Sequence, residues 1–386
     1  MEKPLRLGVA GLGNAGHQVL HAASKVPGVE LAAVADTRPE ALTSFAAGHT
    51  GIQCFDRVAA LCASPEVDAV WIATPNEFHA EHTVAAAGRG KHVICEKPMA
   101  VTLEECDRMI EAAERNQVKL LIGHSKISDP PVVKMGEVIS GGSLGPLVQI
   151  ATWNYKGWLQ SARLASEVDT SKGGGVVYRQ GPHQVDIVRY VGGGLVRRVR
   201  AVAGKWNPSF DTEGNYTAFL EFAGGAPATL VFNGYGYFDI TELTWDIGEG
   251  GEKVMNRYRR SERPKGPVAP DARYAMPLRR EGRAPQGERK QPFYGLTLVS
   301  CAKGDIRQSP DGLYLYTEGG CREVRCPPDL GRGAELLKLC EAVARNQPVF
   351  PDGRWGKATL EVVLAILESS RTGHEVVLSH QVRARS

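Results

Sequence analysis

Gly11-Leu12-Gly13-Asn14-Ala15-Gly16 is the first stretch whose residue types and spacing suggest chemistry. Glycines in this spacing shape a turn that seats phosphates. Gly11 permits the tight turn, Gly13 lets the backbone approach a pyrophosphate, and Gly16 allows a helix to pack closely on a strand. The turn separates a buried-strand pattern, Leu5–Ala10, from an amphipathic run reaching about Lys25. The helix N-terminus adds unpaired N–H groups and partial positive charge, so Asn14 and Ala15 are expected against the phosphates. Such a triplet also occurs in ordinary turns. Here an acid, Asp36, ends the next strand 20 residues after the third glycine, as dinucleotide-binding folds require. A carboxylate there accepts hydrogen bonds from ribose hydroxyls and repels a 2′-phosphate, which favours NAD over NADP. Thr37 and Arg38 adjoin it, and Arg38 keeps NADP open because a guanidinium pairs with phosphate.

Two further side chains suit proton transfer. Lys97 follows an apolar run in Cys95-Glu96-Lys97-Pro98. A lysine near its reference pKa of about 10.4 is a poor base at neutral pH, but it donates well to charge developing on oxygen. Desolvation and a nearby positive nicotinamide would lower that pKa and suit it to a proton relay. The plain alternative is a surface lysine after a buried strand. His183, with a reference pKa of about 6.5, suits general-base work, or it is a structural hydrogen bonder. Asp186 lies one helical turn on and can share its face. It orients His183, binds a substrate hydroxyl, or caps a helix start.

These residues need a scaffold. Alternating apolar runs and helix-like stretches signal a parallel sheet covered on both faces. Strands are expected at Leu5–Ala10, Leu31–Ala35, Ala69–Ala73, His92–Cys95 and Lys119–Gly123, and helices near 38–47, 77–89 and 103–116. Thr74, Pro75, Asn76 and His79, like Glu96 and Lys97, then fall outside the carboxyl ends of strands, where open parallel sheets bind ligands. All six are expected to touch the cofactor. Later runs at Leu147–Trp153, Arg197–Lys205, Tyr216–Phe222, Ala228–Gly234 and Ile240–Ile247 are strand-like, with Gly-rich turns between.

At 386 residues the chain has room for two domains, placed at 1–125 and 126–386, with a C-terminal helix near 355–371. Composition is ordinary for a globular protein. Residues 252–292 carry twelve Lys/Arg against five Asp/Glu, and six prolines. They read as a long irregular basic insertion rather than a nucleic-acid site. The opening Met1-Glu2-Lys3-Pro4 leads straight into a strand, and no apolar run nears the roughly 20 residues of a membrane span. Eight cysteines without a CxxC or zinc spacing indicate free thiols in a reducing compartment, hence a cytoplasmic protein and no metal.

With the glycine turn, the segments Ala73-Thr74-Pro75-Asn76-Glu77-Phe78-His79 and Cys95-Glu96-Lys97-Pro98 strongly resemble the Gfo/Idh/MocA oxidoreductases. That resemblance implies a Rossmann domain followed by an α/β domain with a large open antiparallel sheet. It also implies a homodimer or homotetramer through that sheet, and an active-site role for Lys97. Gly173-Gly174-Gly175-Val176-Val177-Tyr178-Arg179-Gln180-Gly181-Pro182-His183 resembles the family's second active-site segment, on a loop leading into a helix. The family's usual form has Asp four residues before His183, where this chain has Arg179. A guanidinium there favours an acidic substrate over a sugar or cyclitol, unless Arg179 points elsewhere.

The glycine-rich string, Trp153-Asn154-Tyr155, Asp169-Thr170 and Asp352-Gly353-Arg354-Trp355-Gly356 are similar to a narrower group. Its members are NAD-dependent dehydrogenases that oxidise carboxylated cis-dihydrodiols, of the phthalate or chlorobenzoate type, to catechols in aromatic-acid degradation. On that reading Arg179 anchors the carboxylate, with Arg163 and Lys126 as further candidates. Trp153, Tyr155 and Trp158 flank the ring or simply pack on the sheet. The alternatives are a dehydrogenase of a sugar, cyclitol or sugar acid, or a non-catalytic dinucleotide-binding regulator.

Overall fold

In the computed structural model, which describes residues 3–254 and 289–384, the chain divides into two compact units. One comprises residues 1–125 and 330–360, the other 126–329 and 361–386. A single changeover near residue 125 did not anticipate the return of residues 330–360 to the first unit. The expected basic insertion falls mostly on residues 255–288, outside the described residues.

The first unit carries six parallel strands: β1 (Leu5–Ala10), β2 (Val29–Ala35), β3 (Gln53–Phe55), β4 (Ala69–Ile72), β5 (His92–Glu96) and β6 (Leu120–Gly123). They pair in the order β3-β2-β1-β4-β5-β6, so the topology reverses between β1 and β4. Between them run α1 (Asn14–Ala23), α2 (Pro39–Gly48), α3 (Val58–Ala63), α4 (His79–Ala87) and α5 (Leu103–Arg115). Local chemistry sets the ends of these helices. Pro39 opens α2 with its fixed φ, and Thr102 with Glu105 forms a reciprocal capping box on α5. Leu7, Val9, Val34, Trp71 and Ile94 form the centre of the core, and Leu336 and Leu339 of a later helix, Gly333–Ala344, join it. Burial of those two leucines explains why this segment belongs here, since each buried aliphatic side chain contributes about 1.5–3 kcal/mol.

The second unit is built on a nine-stranded sheet. Its strands are β7 (Leu147–Tyr155), β8 (Val196–Gly204), β9 (Asn215–Phe222), β10 (Pro227–Asn233), β11 (Leu296–Cys301), β12 (Gly304–Ser309), β13 (Gly312–Thr317), β14 (Gly320–Arg325) and β15 (Val376–Val377). The order is β14-β13-β12-β11-β7-β10-β9-β8-β15. The sheet is open but mixed, because β7 and β10 pair in parallel. β7 therefore lies in the interior of the sheet rather than at its edge. Ile240–Ile247 is no strand: a 3-10 turn at Ile240–Leu243 is set by Asp239, whose carboxylate accepts from the Thr241 amide. Such an Asx turn outcompetes an extended run.

Helices α6 (Pro130–Ser140) and α7 (Gly175–Val191) accompany this sheet. The final helix, Gly353–Thr372, contributes residues 353–360 to the first unit and the remainder to the second. Among the described residues, no helix is long and apolar enough to cross a membrane.

Candidate active site

The dinucleotide half of the chemistry lies in the first unit, at the switch between β1 and β4. Gly11 has φ +97°, and a Cβ there would stand 2.6 Å from the Ala73 carbonyl oxygen. A Cβ on Gly16 would collide with the Gly11 carbonyl at 1.9 Å, so only glycine lets α1 start this close to β1. Gly13 is different: nothing lies within 4 Å of where its Cβ would be. As N-cap of α1 it offers no side-chain cap, and no acid occupies the first turn, which includes Asn14 and Ala15. An open, uncapped helix N-terminus fits a dinucleotide pyrophosphate, and Gly11, Gly13, Asn14, Ala15 and Gly16 are the residues that would hold it.

Asp36 ends β2 as the spacing requires, but its carboxylate is already engaged. It accepts from the Leu12 amide at 2.7 Å, the Arg38 amide at 3.0 Å, and Arg38 Nε and Nη2 at 2.9 Å each. Burial would raise its pKa, but these hydrogen bonds win and hold it below the ordinary carboxylate value. Arg38 Nη2 also donates to the Leu12 carbonyl at 3.1 Å, so a guanidinium clasps the glycine turn to the acid. Thr37, between them, is exposed.

Three residues expected to touch the cofactor are buried in the first unit. His79 is buried, with Nδ1 2.8 Å from the Pro98 carbonyl and Nε2 2.9 Å from that of Thr74. It ties the turn after β4 to the turn after β5. Glu96 is also buried: it accepts from the Trp71 indole at 3.2 Å and from Arg332 Nη2 at 3.0 Å. No motif pointed to Arg332, which arrives with the returning segment. Asn76 is buried in the 3-10 turn Asn76–Phe78. Thr74 keeps a half-exposed position, with its hydroxyl 3.0 Å from His82 Nδ1, and Pro75 is exposed. Lys97 follows directly on β5, half-buried, before a cis Pro98. The ties on Glu96 and Pro98 fix the backbone on both sides of it.

In the second unit the glycine-rich segment is not a loop. Helix α7 already starts at Gly175, so Arg179, His183 and Asp186 all sit within it. Gly175 has φ +81°, and a Cβ there would lie 2.2 Å from Glu213 Oε1. That carboxylate accepts from the Val177 amide at 3.0 Å and from the Thr170 hydroxyl at 2.8 Å. A buried anion thus seats the positive end of α7. Gln184 pins the helix onto the sheet: its amide donates to Thr152 Oγ1 and the Val231 carbonyl, and its oxygen accepts from Tyr216 at 2.6 Å. Asp186 is buried mid-helix and does not cap the helix start; its charge supports the buried Arg189 one turn on.

His183 is next to that anchor, half-buried, with its ring 4.9 Å from the ring of Tyr294. The Tyr294 hydroxyl donates to the Gln180 carbonyl at 2.9 Å, and burial holds its pKa well above the ordinary phenol value. Lys156, directly after β7, places Nζ 4.9 Å from the same ring and 2.5 Å from Glu249 Oε1. Burial lowers its pKa against the pull of Glu249, and Arg163 and Lys126 press the same way. Lys126 donates to the Glu249 carbonyl at 3.1 Å and to Asp129 at 3.3 Å. Burial raises the Asp129 carboxyl to about 7, although Lys126 opposes it.

Arg179 does not point away unpaired: Nη2 meets Glu167 Oε1 at 2.9 Å, and Arg163 approaches the same oxygen at 3.7 Å. Arg163 also stacks 4.2 Å from the Trp158 ring and donates to the Trp158 carbonyl. Trp153 is elsewhere. Along β7 the side chains of Thr152 and Asn154 are buried toward α7, so the alternation sends Trp153, 38% exposed, to the opposite sheet face. Tyr155 has the same parity and meets Phe238 edge-on at 5.7 Å. Neither flanks His183. Lys156, Glu249 and Tyr294 went unseen in the sequence; the one available signal was a lysine at a strand's carboxyl end, in Tyr155-Lys156-Gly157.

The parallel sheet, glycine turn and Asp36 define a dinucleotide-binding Rossmann unit. Residues 5–124 match the model of an oxidoreductase family with an NAD-binding Rossmann fold, and residues 132–243 match that of the GFO/IDH/MocA C-terminal domain. The chain is 33% identical over 381 residues to a 1-carboxy-3-chloro-3,4-dihydroxycyclohexa-1,5-diene dehydrogenase from Comamonas testosteroni, covering 95% of each. It is 30% identical over 193 residues to an inositol 2-dehydrogenase from Salmonella paratyphi B, covering 48% of this chain and 54% of that protein. A crystal structure of an inferred dehydrogenase from Bordetella bronchiseptica RB50 superimposes with a TM-score of 0.90 at 36% identity, covering 97% of this chain and 100% of that one. The chain belongs to the GFO/IDH/MocA oxidoreductase family.

Proposed function

We propose that this protein oxidises a ring-borne secondary alcohol that also carries an acidic group, with NAD as the preferred cofactor. The observation that carries the reading is the neighbourhood of His183: a candidate base in a unit where Lys126, Lys156, Arg163 and Arg179 gather around β7 and α7 and outnumber the carboxylates paired with them, Asp129, Glu249 and Glu167. Clustered cations select anions. A sugar acid or an acidic cyclitol meets that chemistry, and the inositol 2-dehydrogenase relative supports the ring-alcohol part of the reading.

Bound NAD supplies the hydride acceptor. His183 takes the hydroxyl proton as the carbinol carbon loses its hydride, and the alcohol becomes a ketone. Lys97 donates a hydrogen bond to the substrate oxygen while charge builds on it. Asp36 receives the ribose hydroxyls once Arg38 swings aside, and its charge disfavours a 2′-phosphate.

A second reading rests on the Comamonas relative, which matches over nearly the whole chain. The substrate would be a carboxylated cis-dihydrodiol, whose ketone tautomerises to a catechol. Aromatisation drives that reaction, so the lost family Asp is less needed. We further propose that the open sheet face, where Trp153, Val202 and Phe219 are exposed, joins two or four copies of the chain.

The test is NADH or NADPH formation over D-glucuronate, D-galacturonate, myo-inositol and carboxylated cis-dihydrodiols. Turnover of the acids with NAD supports the proposal. Turnover of neutral polyols alone, or a higher kcat/KM with NADP, overturns it.

A further inference from the structure

We infer that Lys156, not Arg179, reads the substrate's carboxylate, with Glu249 as a built-in placeholder that the substrate displaces. This rests on the acidic-substrate reading above and identifies the cation that does the selecting.

Three observations lead there. First, Lys156 already holds a carboxylate oxygen, Glu249 Oε1, at 2.5 Å, so its geometry suits the group it would bind. Second, that partner is easy to dislodge. The Glu249 side chain is 41% exposed, so water solvates the released carboxylate while the incoming one takes its place beside the half-buried Lys156. Third, the lysine is beside the chemistry: one tyrosine ring, Tyr294, touches both Lys156 and His183, each at 4.9 Å. Lys126 reinforces the position by holding the Glu249 backbone carbonyl at 3.1 Å.

Arg179 lacks these properties. Its partner Glu167 is only 11% exposed, and that carboxylate also accepts from the Leu164 amide at 2.9 Å. Pulling Arg179 away would leave a carboxylate that is mostly out of water with only the Leu164 amide and the longer contact to Arg163, which costs more than releasing Glu249 to solvent. Arg179 and Glu167 instead lock the Ser166–Val168 turn to α7.

Two substitutions of opposite sign test the assignment. Lys156→Met keeps the aliphatic stem and removes the charge. Glu249→Gln keeps the shape and removes the competitor. KM is measured for D-glucuronate against D-glucose, and for cis-3,4-dihydroxycyclohexa-1,5-diene-1-carboxylate against cis-cyclohexa-3,5-diene-1,2-diol. Benzoate is also titrated into the NADH-loaded protein by calorimetry, a readout independent of turnover. Lys156→Met should raise the acid KM about 10- to 100-fold relative to the neutral counterpart, the range of a charge-assisted hydrogen bond. It should weaken benzoate by a similar factor, while Glu249→Gln tightens benzoate and lowers the acid KM. If both variants weaken acid binding, or if acid and neutral substrates suffer alike, Lys156 is structural and the inference fails while the acidic-substrate reading stands. A wild-type protein that neither binds benzoate nor favours acids overturns that reading and the inference with it.

Discussion

Replacing Glu335 with glutamine should leave stability unchanged near pH 4.5 and raise it in neutral and alkaline solution. Glu335, Arg332 and Glu96 form a buried trio in the first unit: Arg332 Nη1 is 3.1 Å from Glu335 Oε2, and Nη2 is 3.0 Å from Glu96. Two carboxylates thus share one guanidinium, and with both ionised the trio keeps an uncompensated negative charge. Glu335, with its side chain 1% exposed, is the member that yields. Burial raises its pKa, Arg332 opposes, Glu96 adds repulsion, and the result is about 7 against an ordinary 4.5. Its Oε1 has no hydrogen-bond partner among the described residues, so the neutral form gives up little. The folded protein therefore holds this proton more tightly than the unfolded chain does. Stability from that proton is fully present below pH 4.5 and is lost as pH rises through about 7. At about 1.36 kcal/mol per pKa unit the loss totals about 3 kcal/mol. A glutamine side chain cannot titrate and keeps the acceptor for Arg332, so Glu335→Gln should gain about 3 kcal/mol over wild type at pH 8.5. Urea midpoints of both proteins from pH 4.5 to 8.5 measure the difference, and groups common to both cancel. A difference independent of pH, or a variant less stable than wild type at pH 8.5, would show that Glu335 stays ionised beside Arg332.

The remaining expectations concern turnover, cofactor choice and Arg179. Lys97→Ala and His183→Ala should each lower kcat about 10²- to 10⁴-fold with little change in NAD affinity. Near-wild-type turnover of either, where hydride transfer limits the rate, removes that residue from the chemistry. Asp36→Ser should narrow the preference for NAD over NADP, because it removes the repelling charge and releases Arg38 for a 2′-phosphate; kcat/KM ratios with both cofactors report this. Arg179→Ala should cost about 1–3 kcal/mol of stability, since the half-buried Glu167 loses its close partner. It should raise the KM of acidic and neutral substrates alike, and a loss confined to acids would return the anchoring role to Arg179.

The legible parts of this protein are those where function is written in local spacing. Gly11, Gly13 and Gly16 each matter through atoms within a turn or an adjacent strand, so residue type and interval suffice to find them. Asp36 follows from the same logic, but its bond to Arg38 does not, because an i,i+2 clasp depends on how the chain turns after β2. His79 and Glu96 show contacts that motif reasoning does not reach. Both belong to motifs at the strand ends, yet their side chains turn inward to Pro98 and Arg332. The partner of Glu96 comes from a segment more than two hundred residues later, which no periodicity announces. Trp153 fails for a related reason. Period-two alternation puts it opposite Thr152 and Asn154, but which face meets α7 is decided by Gln184 reaching Thr152. Lys156 was invisible because a lysine after a strand is ordinary; what distinguishes it is convergence with Glu249, Tyr294 and His183 from three other parts of the chain. A fold-level match cannot supply that either, since the same scaffold carries many substrates. Substrate choice here rests on which cation has a partner that can be displaced. That property belongs to the partner's exposure, and only a three-dimensional arrangement of Lys156 with Glu249 and of Arg179 with Glu167 reveals it.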